Sequence, residues 1–174
     1  MLDDTSFPKQ GKASVGVARQ YCGALGKRAN CQVVSAQYVA EEPKSSRPLH
    51  WPLSGRLYLP EGWVNDRERR EHSHVPEEMI FRSKPQIALC LVDLSREWEV
   101  PSEVVVADSG YGKYPSFLGG LEEREVAYVC AVESTFGVRL PCEVRAASEA
   151  GAPPYREEGN LPRRGRHLFT RPRK

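Results

Sequence analysis

The stretch EVVVADSGYG, Glu103 to Gly112, decides how the rest of the chain is read. Val104, Val105, Val106 and Ala107 form an apolar run without polar alternation, which predicts a central strand covered on both faces. The run ends on Asp108, and open α/β sheets carry their chemistry at the carboxyl ends of such strands. A second reading is equally open, because an aspartate followed by Ser109 and Gly110 is also a common turn former.

Working outward, Ile87, Leu91, Leu94 and Trp98 recur at helical spacing after Pro85. Leu89, Cys90 and Val92 broaden that stripe, and Pro101 ends it. Downstream, Ser116 to Arg124 reads as a second helix and Ala127 to Val132 (AYVCAV) as a buried strand. Strand, helix, strand with short joins implies a parallel pair and a right-handed crossover. Upstream, CQVVSAQYVA (Cys31 to Ala40) has the β-branched and aromatic content of a strand, while SVGVARQY (Ser14 to Tyr21) alternates only loosely. Pro43, Pro48, Pro52 and Pro60 argue against long regular structure between Glu41 and Trp63, apart from a short strand at Arg56 to Leu59. Trp51 and Trp63 are expected to be partial core. Asn65 and Asp66 lead into a short polar helix, RERRE, and Pro76, Glu77 and Glu78 look like the first turn of another. Met1 and Leu2 leave little room for a strand ahead of Asp3 and Asp4, so most of that strand is expected to be missing.

A chain of 174 residues with 40% hydrophobic content fits one domain, and 14 glycines with 14 prolines imply many turns. No apolar run is long enough to cross a bilayer, and the start, MLDDTSFPKQ, lacks the basic-then-apolar order of a signal peptide. The expectation is a cytoplasmic protein with no membrane partner. The five cysteines are scattered and form no C-x-x-C pair, which favours reduced thiols over disulfides or zinc. His72 and His74 lie in the charged stretch DRERREHSH and read as solvated surface. The net charge is only +2, but Arg156, Arg163, Arg164, Arg166, Arg171, Arg173 and Lys174 crowd the end, and the remainder is slightly acidic. Residues 1–145 are therefore expected to form the folded core and residues 146–174 a basic, disordered tail.

Two carboxylate sites stand out, DDT at Asp3 to Thr5 and AD at Ala107 to Asp108. Aspartates at adjacent strand ends can share Mg²⁺ or Mn²⁺, hard cations that prefer carboxylate oxygen. Two such ions roughly 3.5–4 Å apart activate a nucleophile and stabilise the leaving oxygen of a phosphodiester. The competing reading makes both aspartates turn formers or caps. Lys9, Lys12, Arg19 and Lys27 follow DDT as candidate phosphate contacts, with Lys12 and Arg19 preferred. GKASVG is not a nucleotide-binding loop, because its second glycine precedes Val17 rather than a lysine. Tyr111 either packs on the Ser116 helix or stacks on a base.

Four blocks, DDTSFPKQGKASVGVARQYCGALGKRANCQV, RLYLPEGWVNDRERR, VPEEMIFRSKPQIAL and VVVADSGYG, occur in the order seen in insertion-sequence DDE transposases. The chain resembles the group related to the IS4-like enzymes, the DDE superfamily endonucleases, from Asp3 to about Val132. The resemblance implies a partial RNase H-like fold, an α/β mixed sheet with flanking helices. It implies cleavage and transfer of DNA strands at transposon ends with Mg²⁺ or Mn²⁺, a possible homo-oligomer, and no small-molecule substrate. Location would be the bacterial cytoplasm, at the nucleoid when bound to DNA. By the same resemblance Asp4, with Asp3 as its less favoured neighbour, and Asp108 are catalytic metal ligands. No glutamate here matches the family's third carboxylate, so the chain is expected to be a fragment that does not complete catalysis alone. The alternatives are a catalytically inactive DNA- or partner-binding remnant and a decayed reading frame.

Overall fold

The computed structural model describes residues 1–40, 50–137 and 167–170. Its first strand, β1 (Leu2–Pro8), contains both early aspartates and runs on beyond them. The two acids therefore lie near the start of this strand, with only Leu2 of β1 ahead of them. It is held by the long strand β3 (Lys27–Ala40), antiparallel to it from Leu2 opposite Gln37 to Pro8 opposite Cys31. On the other side of β3, β2 (Ala18–Cys22) forms a hairpin with it through a 3-10 turn at Gly23–Leu25. Gly26 closes that turn at φ 62°, a conformation open to glycine without a Cβ clash.

The next strand, β4 (His50–Leu57), pairs with β3 and is longer than expected, running through Trp51 and Pro52. Pro52 is accommodated because the register shifts at Gln37/Tyr38 and no strand other than β3 pairs with β4 among the described residues. Trp51 is 63% exposed and is not core, whereas Trp63 is 1% exposed. Trp63 sits on α1 (Glu61–Val64) and clusters with Val17 and Leu59, its indole N–H donating to the Val17 carbonyl at 2.7 Å. Asp66 caps α2 (Arg67–His72) by accepting from the Arg69 N–H. Pro76 to Glu78 form a turn rather than the expected helix. The Arg70 guanidinium takes the carbonyls of Pro76 and Glu77 at 2.7 and 3.0 Å, acceptors that a helix beginning there would use.

The long helix is α3 (Lys84–Glu97), started by a capping box between Ser83 and Gln86 with Pro85 in the first turn. The buried strand β5 (Val105–Ala107) is followed by a single turn, α4 (Ser109–Gly112), then α5 (Pro115–Glu123) and β6 (Tyr128–Val132). Strands β5 and β6 are parallel, and β5 joins β1 in parallel at Leu2 and Ala107. A last strand, β7 (His167–Thr170), lies antiparallel on β6, inside the tail expected to lack structure. HLFT is β-compatible and β6 offers it an edge, which outweighs the surrounding arginines. The rest of that tail lies outside the described residues.

The result is one mixed sheet, ordered β2-β3-β1-β5-β6-β7 with β4 also on β3, and flanking helices. This is the α/β architecture expected, and it is consistent with an RNase H-like core. The main core lies on one face, where Leu2, Val105, Ala107 and Cys130 meet Ile87, Leu91, Tyr111, Phe117 and Leu121. Each of the Val, Leu, Ile and Phe side chains among them contributes about 1.5–3 kcal/mol by leaving water. Strand β5 is central in order but not covered on both sides: Val104 and Val106 are 41% and 39% exposed. Arg124 clamps α3 to the end of α5 through paired bonds of 2.6 and 2.8 Å to Asp93. Cys22, Cys31, Cys90 and Cys130 are free thiols.

Candidate functional site

Residue order along the parallel strands sets the site. Leu2 of β1 and Ala107 of β5 are register partners, and both are buried against the helices. One step on come Asp3, turned by strand alternation to the face opposite Leu2, and Asp108, just past the end of β5. Both aspartates are exposed at residue level. The Asp3 carboxyl is nevertheless pushed above the usual carboxylate range, by partial burial first and then by the charges of Asp108 and Asp4, against a lowering hydrogen bond from the Asp4 N–H. Asp108 also does what the turn reading asked of it. It is the N-cap of α4, its Oδ1 accepting from the Gly110 N–H at 2.9 Å.

Asp4 points the other way, toward α3. Its Oδ1 accepts from the Tyr111 hydroxyl at 2.6 Å and the Ser35 hydroxyl at 2.9 Å, and its Oδ2 meets the Lys84 ammonium at 2.7 Å. Tyr111 is 3% exposed and tilts against Phe117 with ring centroids 5.4 Å apart, so the packing reading of this side chain holds. Burial, then the charge of Asp4 and its hydrogen bond, push the Tyr111 hydroxyl far up and keep it a donor. Sequence reasoning missed Ser35, Lys84 and the role of Tyr111. A lone serine in a strand and a lysine opening a helix carry no local signal, and only the register brings them to Asp4.

The turn holding Asp108 is fixed on its far side by Gly112, where a Cβ would lie 2.1 Å from the Ala131 carbonyl oxygen of β6. Cys130, also buried here, has its thiol pushed up to about 11 by burial and then by the Asp108 charge. Lys12 lies exposed in the connection between β1 and β2, its carbonyl bonded by Arg69 at 2.7 Å, and Arg19 is exposed on β2. No hydrogen bond or ion pair joins the side chain of either to the aspartates among the described residues. Arg69 also stacks 3.6 Å over the Trp63 ring, which secures that connection to α1.

Asp3 and Asp108 offer hard carboxylate oxygens, the donor type that Mg²⁺ or Mn²⁺ prefers. Asp4, with a lysine and two hydroxyls on it, has its acceptor positions largely filled. Among the described residues there is no group of three or more His, Cys, Asp or Glu placed to hold a metal ion. Nor is any helix among them long and apolar enough to cross a membrane.

Comparison with known proteins adds two findings. A family model described as DDE superfamily endonuclease matches residues 1–174. A probable transposase for insertion sequence element IS701 from Microchaete diplosiphon is 29% identical over 141 residues, 80% of this chain and 33% of the relative. The chain thus spans about a third of the length of that curated relative. No solved structure matches.

Proposed function

The chain belongs to the DDE superfamily endonucleases, and from that premise we propose that it carries the first two carboxylates of a DNA strand-cleaving and strand-transferring centre, Asp3 and Asp108. The observation that supports this most is the parallel register of Leu2 with Ala107, which sets the two acids next to each other at a strand end. The DDT motif favoured Asp4 as the first ligand. The engagement of Asp4 with Lys84, Tyr111 and Ser35 favours Asp3 instead. A divalent cation bound there supplies Lewis acidity for phosphoryl transfer. The chain's own part is to hold two carboxylates near each other where a DNA phosphate can approach. Lys12 and Arg19 serve as phosphate contacts, residues 1–145 as the catalytic core and residues 146–174 as a basic tail that adds unspecific DNA affinity. Assembly as a homo-oligomer on transposon ends, in a bacterial cytoplasm, belongs to the same proposal.

The test is Mn²⁺ titration followed by calorimetry on the wild type, Asp3→Asn, Asp4→Asn and Asp108→Asn. Loss of binding in the first and third variants, with Asp4→Asn retaining it, is the expected pattern. Equal binding in all four proteins would sink the proposal. The lack of a three-carboxylate group among the described residues favours a second reading, a DNA-binding module without cleavage. Salt-sensitive DNA binding that survives Asp108→Asn, in a chain that never cuts with Mn²⁺ present, would select that reading.

A further inference from the structure

From Thr5 to Ala40 the chain carries Lys9, Lys12, Arg19, Lys27 and Arg28 and no aspartate or glutamate. The pairing of β2 with β3 gathers these cations at one end of the sheet. Tyr21 of β2 and Arg28 of β3 are register partners, and two residues further along Arg19 lies opposite Asn30. Strand alternation puts these four on one face, opposite the face on which Cys31 and Val33 are fully buried. Tyr21 is 62% exposed, and the Arg28 guanidinium crosses to the Arg19 carbonyl at 3.3 Å. The connection from β1 to β2 is fastened along the same face. The Asn30 amide donates to the carbonyls of Lys9 and Gly11 at 2.9 and 2.8 Å, and that of Gln32 to the Val15 carbonyl at 2.6 Å. Lys9 and Lys12 stand exposed on it, and the α2 side chain that reaches it is another cation, Arg69. Among the described residues no ion pair neutralises any of the five cations.

We infer that this face of the β2–β3 hairpin binds an unpaired stretch of DNA, with its cations on the phosphates and the Tyr21 ring stacked on a base. Charge selects the partner: a surface with five cations and no acid of its own attracts a polyanion and repels basic segments. The ring selects the form of that polyanion. Bases in a duplex are already stacked on their neighbours, whereas an unpaired base offers its face to any exposed aromatic, with arginine planes beside it adding to the stack. The hairpin thus differs in kind from the basic tail, whose charges attract single and double strands alike. This inference rests on reading the chain as one that acts on DNA, and it names the form of DNA taken at this end of the sheet.

The experiment uses the whole chain with a chelator present, so that no metal takes part. Fluorescence anisotropy follows one labelled oligonucleotide, offered as a single strand and as a duplex, and thermal melts check the folding of each variant. Tyr21→Thr removes the ring and keeps a strand-forming residue; Tyr21→Phe keeps the ring. Tyr21→Thr is expected to weaken single-strand binding about tenfold and duplex binding by less than about twofold, with Tyr21→Phe binding as the wild type does. The double variant Arg19→Gln, Arg28→Gln should flatten the slope of log affinity against log salt for the single strand by about 1.4. Irradiating the unsubstituted chain on a strand that carries 5-iodouracil should cross-link Tyr21, which keeps the test open if Tyr21→Thr does not fold. Single-strand affinity unchanged in folded Tyr21→Thr, an equal loss for both forms of DNA, or cross-links confined to the tail would each overturn the inference. A wild-type chain that binds neither form fails the DNA reading itself, whereas DNA binding indifferent to Tyr21 fails the hairpin alone.

Discussion

Replacing Gly112 by alanine places a methyl group 2.1 Å from the Ala131 oxygen, 3.1 Å from its carbonyl carbon and 3.2 Å from the Cys130 Cβ. Two of these neighbours are β6 backbone, so no side-chain rotation relieves the clash. Either α4 lifts from the sheet by about an ångström or β6 bends, an overpacking cost of about 3 kcal/mol. For a chain of this size that lowers the melting temperature by about 6–12 °C. Two nearby glycines provide an internal scale. At Gly119 a Cβ meets nothing within 4 Å, so Gly119→Ala in α5 should raise stability by about 0.5–1 kcal/mol through helix propensity. At Gly120 the obstacle is the Leu89 side-chain end, 2.5 Å away, which can turn aside at an intermediate cost. Thermal melts followed by circular dichroism should rank the variants Gly119→Ala, wild type, Gly120→Ala, Gly112→Ala from most to least stable. The reasoning is refuted if Gly112→Ala melts with the wild type, because the seat of the Asp108 turn would then be loose.

The raised carboxyl of Asp3 gives a pH prediction. Between its unfolded and folded values the native state holds the extra proton, so its contribution falls as pH rises through that window, and the penalty is fully present above it. Asp3→Asn should therefore be more stable than the wild type at pH 7, with the gap closing near pH 3–4, about the ordinary carboxylate range; melts across pH that place the variant below the wild type at pH 7 contradict this. Trp63→Phe deprives the Val17 carbonyl of its indole donor and should cost about 1–3 kcal/mol in denaturant unfolding. The Cys130 thiol, fully buried and pushed up to about 11, should resist a maleimide at pH 8 until the chain unfolds, whereas the partly exposed Cys90 should react sooner.

What was legible in the sequence was what repeats locally. The stripe from Ile87 to Leu94 and the run from Val104 to Ala107 placed α3 and β5 because periodicity is a property of neighbouring residues. The block order placed the chain in its family. What was not legible depends on pairing. Leu2 to Pro8 forms a strand because β3 lies beside it, not because DDTSFP announces one. Pro52 is tolerated in β4 because the register shifts beside it and, among the described residues, only β3 pairs with this strand. The difference between Asp3 and Asp4 is the clearest instance. Adjacent residues of one strand face opposite sides, so the bonding of Asp4 to Ser35, Tyr111 and Lys84 follows from a register that no motif spells out.

Seven residue pairs bind β1 to β3, but β1 meets β5 at the single pair Leu2 and Ala107. The sheet is thus two halves riveted once, and the rivet closes a loop of more than a hundred residues. Loop closure of that length is entropically costly and comes after the local hairpin of β2 and β3 has formed. Asp3 and Asp108 each follow directly on this one pair, at the seam between the halves. A cation shared across that seam would act on the whole chain as a staple, so hydrogen exchange at the β1 and β5 amides should slow when Mn²⁺ is added.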